Sequence, residues 1–317
     1  MKTKIELITG FLGAGKTTFI KGYLEYLKKR KESVILLENE FGKAGVDAEL
    51  LEEAGVDIFQ LTGGCICCGQ KVNFHDALIA LSERYDRILI EPSGIYTLED
   101  FYDICESPKV EECCEIHGIY TIVDLAQITE LSEAGREVFY SQAAGAGVII
   151  VSKLLPGTDC ADEKQKAQAC IAEIFSAYGN GRQILPEEVL AKPWKELTDA
   201  DYAAIGQRGY VRNTVNLRKQ DHSTLFQSTT ITPVLATGEA LEEYLKKLLS
   251  GTCGSVLRAK GYLTLVDGTC YEINCTPDSW QVAQSAFGRP AGLNVIGSQL
   301  DRRKMKELAA SKCSSGK

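Results

Sequence analysis

Short apolar runs alternate with amphipathic stretches over the first half of the chain. Runs rich in β-branched residues occur at 5–9, 34–37, 58–61, 87–90, 119–123 and 148–151, and helix-like stretches separate most of them. This alternation predicts an α/β fold, a mostly parallel, doubly wound sheet with helices on both faces. Ligands in such folds bind at the carboxyl ends of the strands. We therefore expect the polar motifs that follow these strands to meet at one edge of the sheet.

The pattern changes after residue 212. Strands are predicted at 224–231, 255–266, 269–273 and 294–296, with an amphipathic helix at 238–249 and a last helix at 301–310. Asp267-Gly268 predicts the turn between the second and third of these strands. We interpret 1–212 and 213–317 as two domains, the second a smaller α+β domain. Residues 180–218 read as linker-like or irregular.

Bulk properties narrow the class of protein. A chain of 317 residues has room for about two domains. Its net charge of −8 argues against a nucleic-acid partner, and no apolar run is long enough to cross a bilayer. The first strand begins without an apolar secretory segment, so we expect a cytoplasmic protein. Twelve cysteines in a reducing compartment then favour metal binding or thiol chemistry over a disulfide framework.

A G-x-x-x-x-G-K-T motif lies between the first predicted strand and a predicted helix at 17–29. It begins at Gly10 and places Gly15, Lys16 and Thr17 at its required positions. The glycines let successive backbone N–H groups point at phosphate oxygens, and the helix adds the positive end of its dipole. In this motif the lysine reaches the β- and γ-phosphates and the threonine hydroxyl binds Mg²⁺. The sequence therefore predicts a P-loop site for a nucleoside triphosphate.

Three cysteines in a glycine-rich turn follow the third predicted strand. Cys65, Cys67 and Cys68 stand within four residues of one another. Thiolates are soft ligands suited to Zn²⁺, Co²⁺ or Cu⁺. No second cysteine pair stands at the spacing of a zinc finger, so we expect an open site with a free coordination position. Buried thiols in a turn and a redox pair are the alternatives, and a disulfide between adjacent cysteines would be strained.

Carboxylates also stand at predicted strand ends. Glu91 can hold Mg²⁺ or its water, and Gly94, three residues later, can let the backbone approach a γ-phosphate. Glu40 and Asp124 are further candidates to assist Mg²⁺ or the soft metal. The segment 111–117, which contains Cys113 and Cys114, has metal-binding residue types, but we interpret it as a solvated turn before a strand.

These motifs together resemble the CobW-like P-loop GTPases, relatives of the nickel-insertion GTPases UreG and HypB. The resemblance covers nearly the whole chain. In the first domain it rests on GFLGAGKTT (10–18), ENEFG (38–42), GGCICC (63–68), EPSG (91–94) and VD (123–124). In the second it rests on VLRAKGYL (256–263), Trp280 and NVIGSQLD (294–301).

The resemblance implies slow GTP hydrolysis coupled to the binding of Zn²⁺ or Co²⁺. It also implies delivery of that ion to a client metalloprotein or a metal-cofactor assembly protein. Cys65, Cys67 and Cys68 would form the metal site, with Glu40 as a further ligand. Lys16, Thr17 and Glu91 would serve catalysis. The other expected nucleotide contacts are Gly13, Ala14, Gly15, Thr18, Gly94 and Lys153. The oligomeric state stays open, with a homodimer as one candidate.

The chain departs from this family at two places. The guanine-reading motif Asn/Thr-Lys-x-Asp is here Ser152-Lys153-Leu154-Leu155. Lys153 can still pack over the base, but Leu155 cannot accept the hydrogen bonds of guanine, so selectivity over adenine should fall. The histidine-rich stretch of many relatives is reduced to Asp221-His222, so we expect metal to enter directly at the cysteine cluster.

We therefore expect a GTP-hydrolysing metal chaperone or insertase. One rival is a small-molecule kinase that uses ATP, which leaves the cysteines unexplained. Another is a non-catalytic protein that senses metal or nucleotide, which would show no turnover. A thiol-redox protein is a third.

Overall fold

The computed structural model describes residues 2–38, 57–60, 71–94, 96–212, 227–277, 279–285 and 292–310. These fall into two compact units, with the described residues up to 212 in the first and those from 227 onward in the second. The predicted boundary between residues 212 and 213 borders a stretch outside the described ranges, so it stays a prediction.

The first unit is built on a seven-stranded parallel sheet. Its strands are β1 (Thr3–Thr9), β2 (Val34–Glu38), β3 (Asp57–Gln60), β4 (Arg87–Glu91), β5 (Cys114–Val123), β6 (Val148–Val151) and β7 (Val189–Ala191). They are arranged in the order β3-β2-β4-β1-β5-β6-β7, and every pairing is parallel. The predicted α/β fold is confirmed.

Helices cover both faces of this sheet. They are α1 (Lys16–Lys29), α2 (Lys71–Ser82), α3 (Leu98–Cys105), α4 (Pro108–Cys113), α5 (Leu125–Thr129), α6 (Glu133–Ala144), α7 (Cys160–Ala177) and α8 (Asp199–Gly206). Successive strand residues point to opposite faces. In β1, Ile5 and Leu7 pack with Phe74 of α2, whereas Ile8 packs with Phe19 of α1. Both faces are therefore buried, as a doubly wound sheet requires.

A charged group lies inside this core. Glu6 is fully buried on β1 and pairs with Arg87, which also binds Glu32 at 2.7 Å. The hydroxyls of Tyr23 and Tyr120 donate to the same Glu6 oxygen at 3.2 and 2.8 Å. Burial raises the pKa of Glu6 despite the nearby guanidinium. Buried charges of this kind require partners, so loss of Arg87 should destabilise the first unit.

Two sequence interpretations of this unit were wrong. Residues 180–212, predicted to be irregular, contain β7 and α8; β7 is a three-residue edge strand, too short to show an alternation. The predicted solvated turn at 111–117 is instead the end of α4 and the start of β5. The strand begins at Cys114 because Cys114 is the register partner of Thr3 on β1. Cys114 is buried, which raises the pKa of its thiol to about 12.

The described residues of the second unit form an antiparallel sheet and two helices. Its strands are β8 (Gln227–Ile231), β9 (Ser255–Thr264), β10 (Cys270–Thr276), β11 (Ser279–Gln284) and β12 (Gly292–Ser298), in the order β11-β10-β9-β12-β8. The helices are α9 (Gly238–Leu249) and α10 (Arg302–Ala310). The predicted α+β class is confirmed, although β11 was missed. No helix in the described part of the chain is long and apolar enough to cross a bilayer.

Candidate nucleotide-binding site

The loop between β1 and α1 curves around the lysine of the motif. Lys16 is buried, and its Nζ donates to the carbonyl oxygens of Gly10 and Phe11 at 3.0 and 3.3 Å. Gly15 is the N-cap of α1 and has a φ of 101°, in the left-handed region that favours glycine. Ala14 is buried behind the loop. The ammonium and the amino end of α1 thus face the same small space, which suits a polyphosphate.

A hydroxyl and a carboxylate meet at the first turn of α1. The Thr17 hydroxyl donates to Glu91 Oε1 over 3.0 Å. They meet because β4, which ends at Glu91, is paired directly with β1. Neutral and anionic oxygens are the ligands that Mg²⁺ prefers. This pair therefore fits a magnesium ion, although the loop motif and Glu91 stand over 70 residues apart in sequence.

The loop after β4 lies directly on the phosphate loop. A β-carbon on Gly94 would come within 2.6 Å of the Leu12 backbone nitrogen, so only glycine fits. The buried Gln142 side chain donates to the carbonyl oxygens of Gly94 and Tyr96 at 3.1 and 2.9 Å. Gln127 donates to the Leu12 carbonyl oxygen at 2.7 Å. Sequence reasoning missed both glutamines, since no local motif marks contacts between residues so far apart.

A second group of residues borders the loop on the side of β5 and β6. Lys153 follows β6 with a φ of 58°, and its Nζ lies 2.6 Å from Asp124 Oδ2. The other Asp124 oxygen accepts from the Ala126 backbone N–H at the start of α5. Asp124 was predicted to assist Mg²⁺ or the soft metal. Its described partners are Lys153 and α5, on the opposite side of β1 from Glu91, and its role at a metal stays a prediction.

The candidate metal residues Glu40, Cys65, Cys67 and Cys68 lie outside the described residues. The strands that lead to them are described. Glu38, the last residue of β2, is the register partner of both Glu91 on β4 and Gln60 on β3. The last described residues before Glu40 and before the cysteines therefore lie on β2 and β3, on the same side of β1 as Glu91. Elsewhere in the described part of the chain, no group of three His, Cys, Asp or Glu could hold a metal ion.

The sequence matches the profile of a known nucleotide-binding domain. The family profile "CobW/HypB/UreG, nucleotide-binding domain" matches residues 4–185, more than half of the chain. The chain belongs to the CobW/HypB/UreG family. The predicted resemblance is thereby confirmed, and the profile covers the phosphate loop, Glu91, Gly94 and Lys153.

Curated members of the family are about a third identical to this chain over the segments that align. The zinc chaperone YeiR of Escherichia coli is 35% identical over 153 residues, covering 48% of this chain and 46% of YeiR. The zinc chaperone CobW of Pseudomonas aeruginosa is 35% identical over 185 residues, covering 48% and 49%. The chain thus spans about half the length of the curated relatives it matches. Among solved structures, the alignment with the zinc-bound GTPase YjiA of E. coli covers 98% of this chain and 98% of YjiA, with 17% identity and a TM-score of 0.43.

Ser152 and Leu155 depart from the guanine-reading pattern Asn/Thr-Lys-x-Asp given above. Leu155 stands where the pattern has aspartate, and its side chain is 73% exposed. An exposed leucine has no polar group to pair with the edge of a base. Of the predicted nucleotide contacts, Gly13 in the loop and Thr18 in α1 are exposed.

Proposed function

We propose that this chain is a GTP-hydrolysing metal chaperone. It binds Zn²⁺ or Co²⁺ as cargo through Cys65, Cys67 and Cys68, with Glu40 as a further ligand, and delivers the ion to a client metalloprotein or a metal-cofactor assembly protein. Membership of the CobW/HypB/UreG family supports this proposal, and relatives in the family are named zinc chaperones. The observation that carries the nucleotide chemistry is the pairing of Thr17 with Glu91 beside the loop that holds Lys16.

Hydrolysis transfers the terminal phosphoryl group to water. The backbone N–H groups of the loop and the Lys16 ammonium bind the phosphate oxygens and stabilise charge that develops as the bond to the leaving GDP breaks. Thr17 and Glu91 would hold Mg²⁺, which when bound neutralises charge on the β- and γ-phosphates. The Gly94 backbone N–H, in a loop whose position Gln142 fixes, would donate to the γ-phosphate.

We attribute the coupling between nucleotide state and metal affinity to the strand ends that the two sites share. Glu91 and Glu38 are register partners, and Glu38 is paired in turn with Gln60, five residues before Cys65. A γ-phosphate that orders the Gly94 loop would therefore bias the two loops that carry Glu40 and the cysteines. Loss of that phosphate on hydrolysis would relax them and weaken metal binding, in the manner of GTPase switch loops.

The coupling is tested by measuring Zn²⁺ and Co²⁺ affinity with GDP and with a non-hydrolysable GTP analogue, in anaerobically purified protein. We expect tighter binding with the analogue, and equal affinities would rule the coupling out. Cys67→Ala should weaken metal binding, whereas Cys160→Ala, a matched change at the half-buried start of α7, should not. Hydrolysis of GTP and ATP, measured in parallel, separates a GTPase from an ATP-dependent kinase and from a protein without turnover.

A further inference from the structure

Trp194 lies against the phosphate loop. It opens a short 3₁₀ turn, Trp194–Glu196, three residues after β7 ends. A β-carbon built on Gly15 would be 3.7 Å from Trp194 Cζ2 and 3.9 Å from Trp194 Nε1. The indole is half-buried, and its ring centroid is 6.0 Å from that of Phe19 on α1. The edge of the indole that carries the N–H therefore faces the loop.

The order of strands shows which part of a nucleotide would reach the space beside Trp194 and Gly15, which we call the Trp194 corner. Glu91 and Thr17 mark the metal and γ-phosphate end, on the β4 side of β1. The corner with Trp194 lies on the other side of β1, where β5, β6 and β7 end. The hypothetical β-carbon on Gly15 would also be 3.7 Å from the β-carbon of Ser152, which follows β6. A nucleotide with its terminal phosphate near Glu91 would extend its nucleoside toward Trp194.

The chemistry of this corner suits aromatic contact. An indole offers a π-face and one N–H donor, and in the described part of the chain nothing accepts a hydrogen bond from Trp194 Nε1. Every nucleobase has a π-face, so contact with an aromatic ring tolerates different bases. Leu155, exposed at the position expected to read guanine, offers only apolar surface.

We propose that Trp194 binds the nucleoside of a bound purine nucleotide, and that this chain recognises the nucleoside by aromatic contact rather than by pairing with a carboxylate. The inference rests on the proposed nucleotide-binding function. It adds a residue that no motif identifies, and it implies that GTP and ATP bind with affinities within about tenfold of each other. Contact with an aromatic ring is worth about ten- to hundredfold in affinity.

Substitution separates the nucleoside contact from the phosphate contacts. In Trp194→Leu, calorimetry should show GTP and ATP affinity lowered by about ten- to hundredfold, with tripolyphosphate affinity unchanged. Trp194→Phe keeps an aromatic ring and should recover most of the loss. A folded Trp194→Leu protein that binds GTP as tightly as wild type would overturn the proposal, and so would an equal loss for GTP and tripolyphosphate.

Fluorescence gives a readout that leaves Trp194 in place. The chain has two tryptophans, so Trp280→Phe, a change in β11 of the second unit, leaves Trp194 as the single tryptophan, which can be excited selectively over the tyrosines. Saturating GTP or ATP should change its emission more than saturating tripolyphosphate does. If Trp194→Leu does not fold, the fluorescence measurement tests the inference by itself. Identical changes in emission with GTP, ATP and tripolyphosphate would overturn it. If calorimetry detects no nucleotide binding to wild type, the proposed function fails and this inference fails with it.

Discussion

Replacing Gly94 by alanine tests whether the loop after β4 senses the terminal phosphate. The new β-carbon would lie 2.6 Å from the backbone nitrogen and 2.8 Å from the Cα of Leu12. Ordinary van der Waals contact begins at 3.4 Å, so the Gly94 loop must retreat from the phosphate loop by about 0.8 Å. Both opposing atoms are backbone, and no rotation of a side chain can relieve the overlap.

This displacement of the Gly94 loop should lower the affinity for GTP but not for GDP. If the Gly94 N–H donates to the γ-phosphate at about 2.9 Å, the shift lengthens that distance to about 3.7 Å, beyond hydrogen-bonding range. A hydrogen bond to a charged group contributes about 1.5–3 kcal/mol, which is about 10- to 150-fold in affinity. GDP has no γ-phosphate, so its affinity should stay within about twofold of wild type.

Calorimetry with GDP and a non-hydrolysable GTP analogue measures this difference. Gly181→Ala is the matched control, because no heavy atom lies within 4 Å of the β-carbon it would add. We expect a selective loss for the analogue in Gly94→Ala and none in Gly181→Ala. An equal loss for both nucleotides in Gly94→Ala would refute the reasoning, because the substitution would then have disturbed the phosphate loop itself.

Three further predictions address base selectivity, the buried charges and pH. Leu155→Asp should raise the ratio of GTP affinity to ATP affinity by about ten- to hundredfold. Leu185→Asp, at another exposed leucine, should leave this ratio unchanged. Equal changes of the ratio in the two variants would contradict the assignment of Leu155 to base recognition. Arg87→Met should lower the free energy of unfolding by about 3–5 kcal/mol because Glu6 loses its buried partner. Lys166→Met, at an exposed ion pair, should cost less than about 1 kcal/mol in the same denaturation experiment. Burial and the charges of Arg87 and Lys4 lower the pKa of His117. As pH falls below about 6.5 the unfolded chain takes up this proton first, so stability should fall. His117→Gln should flatten that part of the curve, and an unchanged slope would exclude the histidine.

The sequence predicted the buried strands better than the edges. The run at 148–151 coincides with β6, because a strand buried on both faces is apolar at every position. The predicted strand at 119–123 begins at Cys114 in the structure, since pairing with Thr3 extends β5 beyond its apolar run. β7 was missed because three residues at an edge carry no periodicity. The start of β5 and the presence of β7 depend on pairing with neighbouring strands, which the local sequence pattern does not reveal.

In the candidate site too, residues within one local motif were predictable and contacts between distant segments were not. Lys16 and Thr17 were predicted because one contiguous motif supplies consecutive backbone N–H groups and a helix start. The meeting of Thr17 with Glu91 was predictable from the rule that parallel strands end at one edge. The role of Gln142 was not predictable, since its contact with Gly94 joins residues 48 apart in sequence and depends on how α6 packs.

The two ends of the nucleotide site should therefore differ in how they tolerate change. Phosphate binding depends on successive residues of one loop, so a single substitution within that loop, such as one at Gly15 with its φ of 101°, disturbs several contacts at once. The proposed nucleoside end would be assembled from side chains that follow three different strands, among them Lys153 and Trp194. Leu155 can replace a carboxylate there because its exposed side chain supports no packing. Base selectivity can thus weaken at one residue while the chemistry at Thr17 and Glu91 stays intact, which is why affinity for GTP over ATP and the rate of hydrolysis should respond to different substitutions.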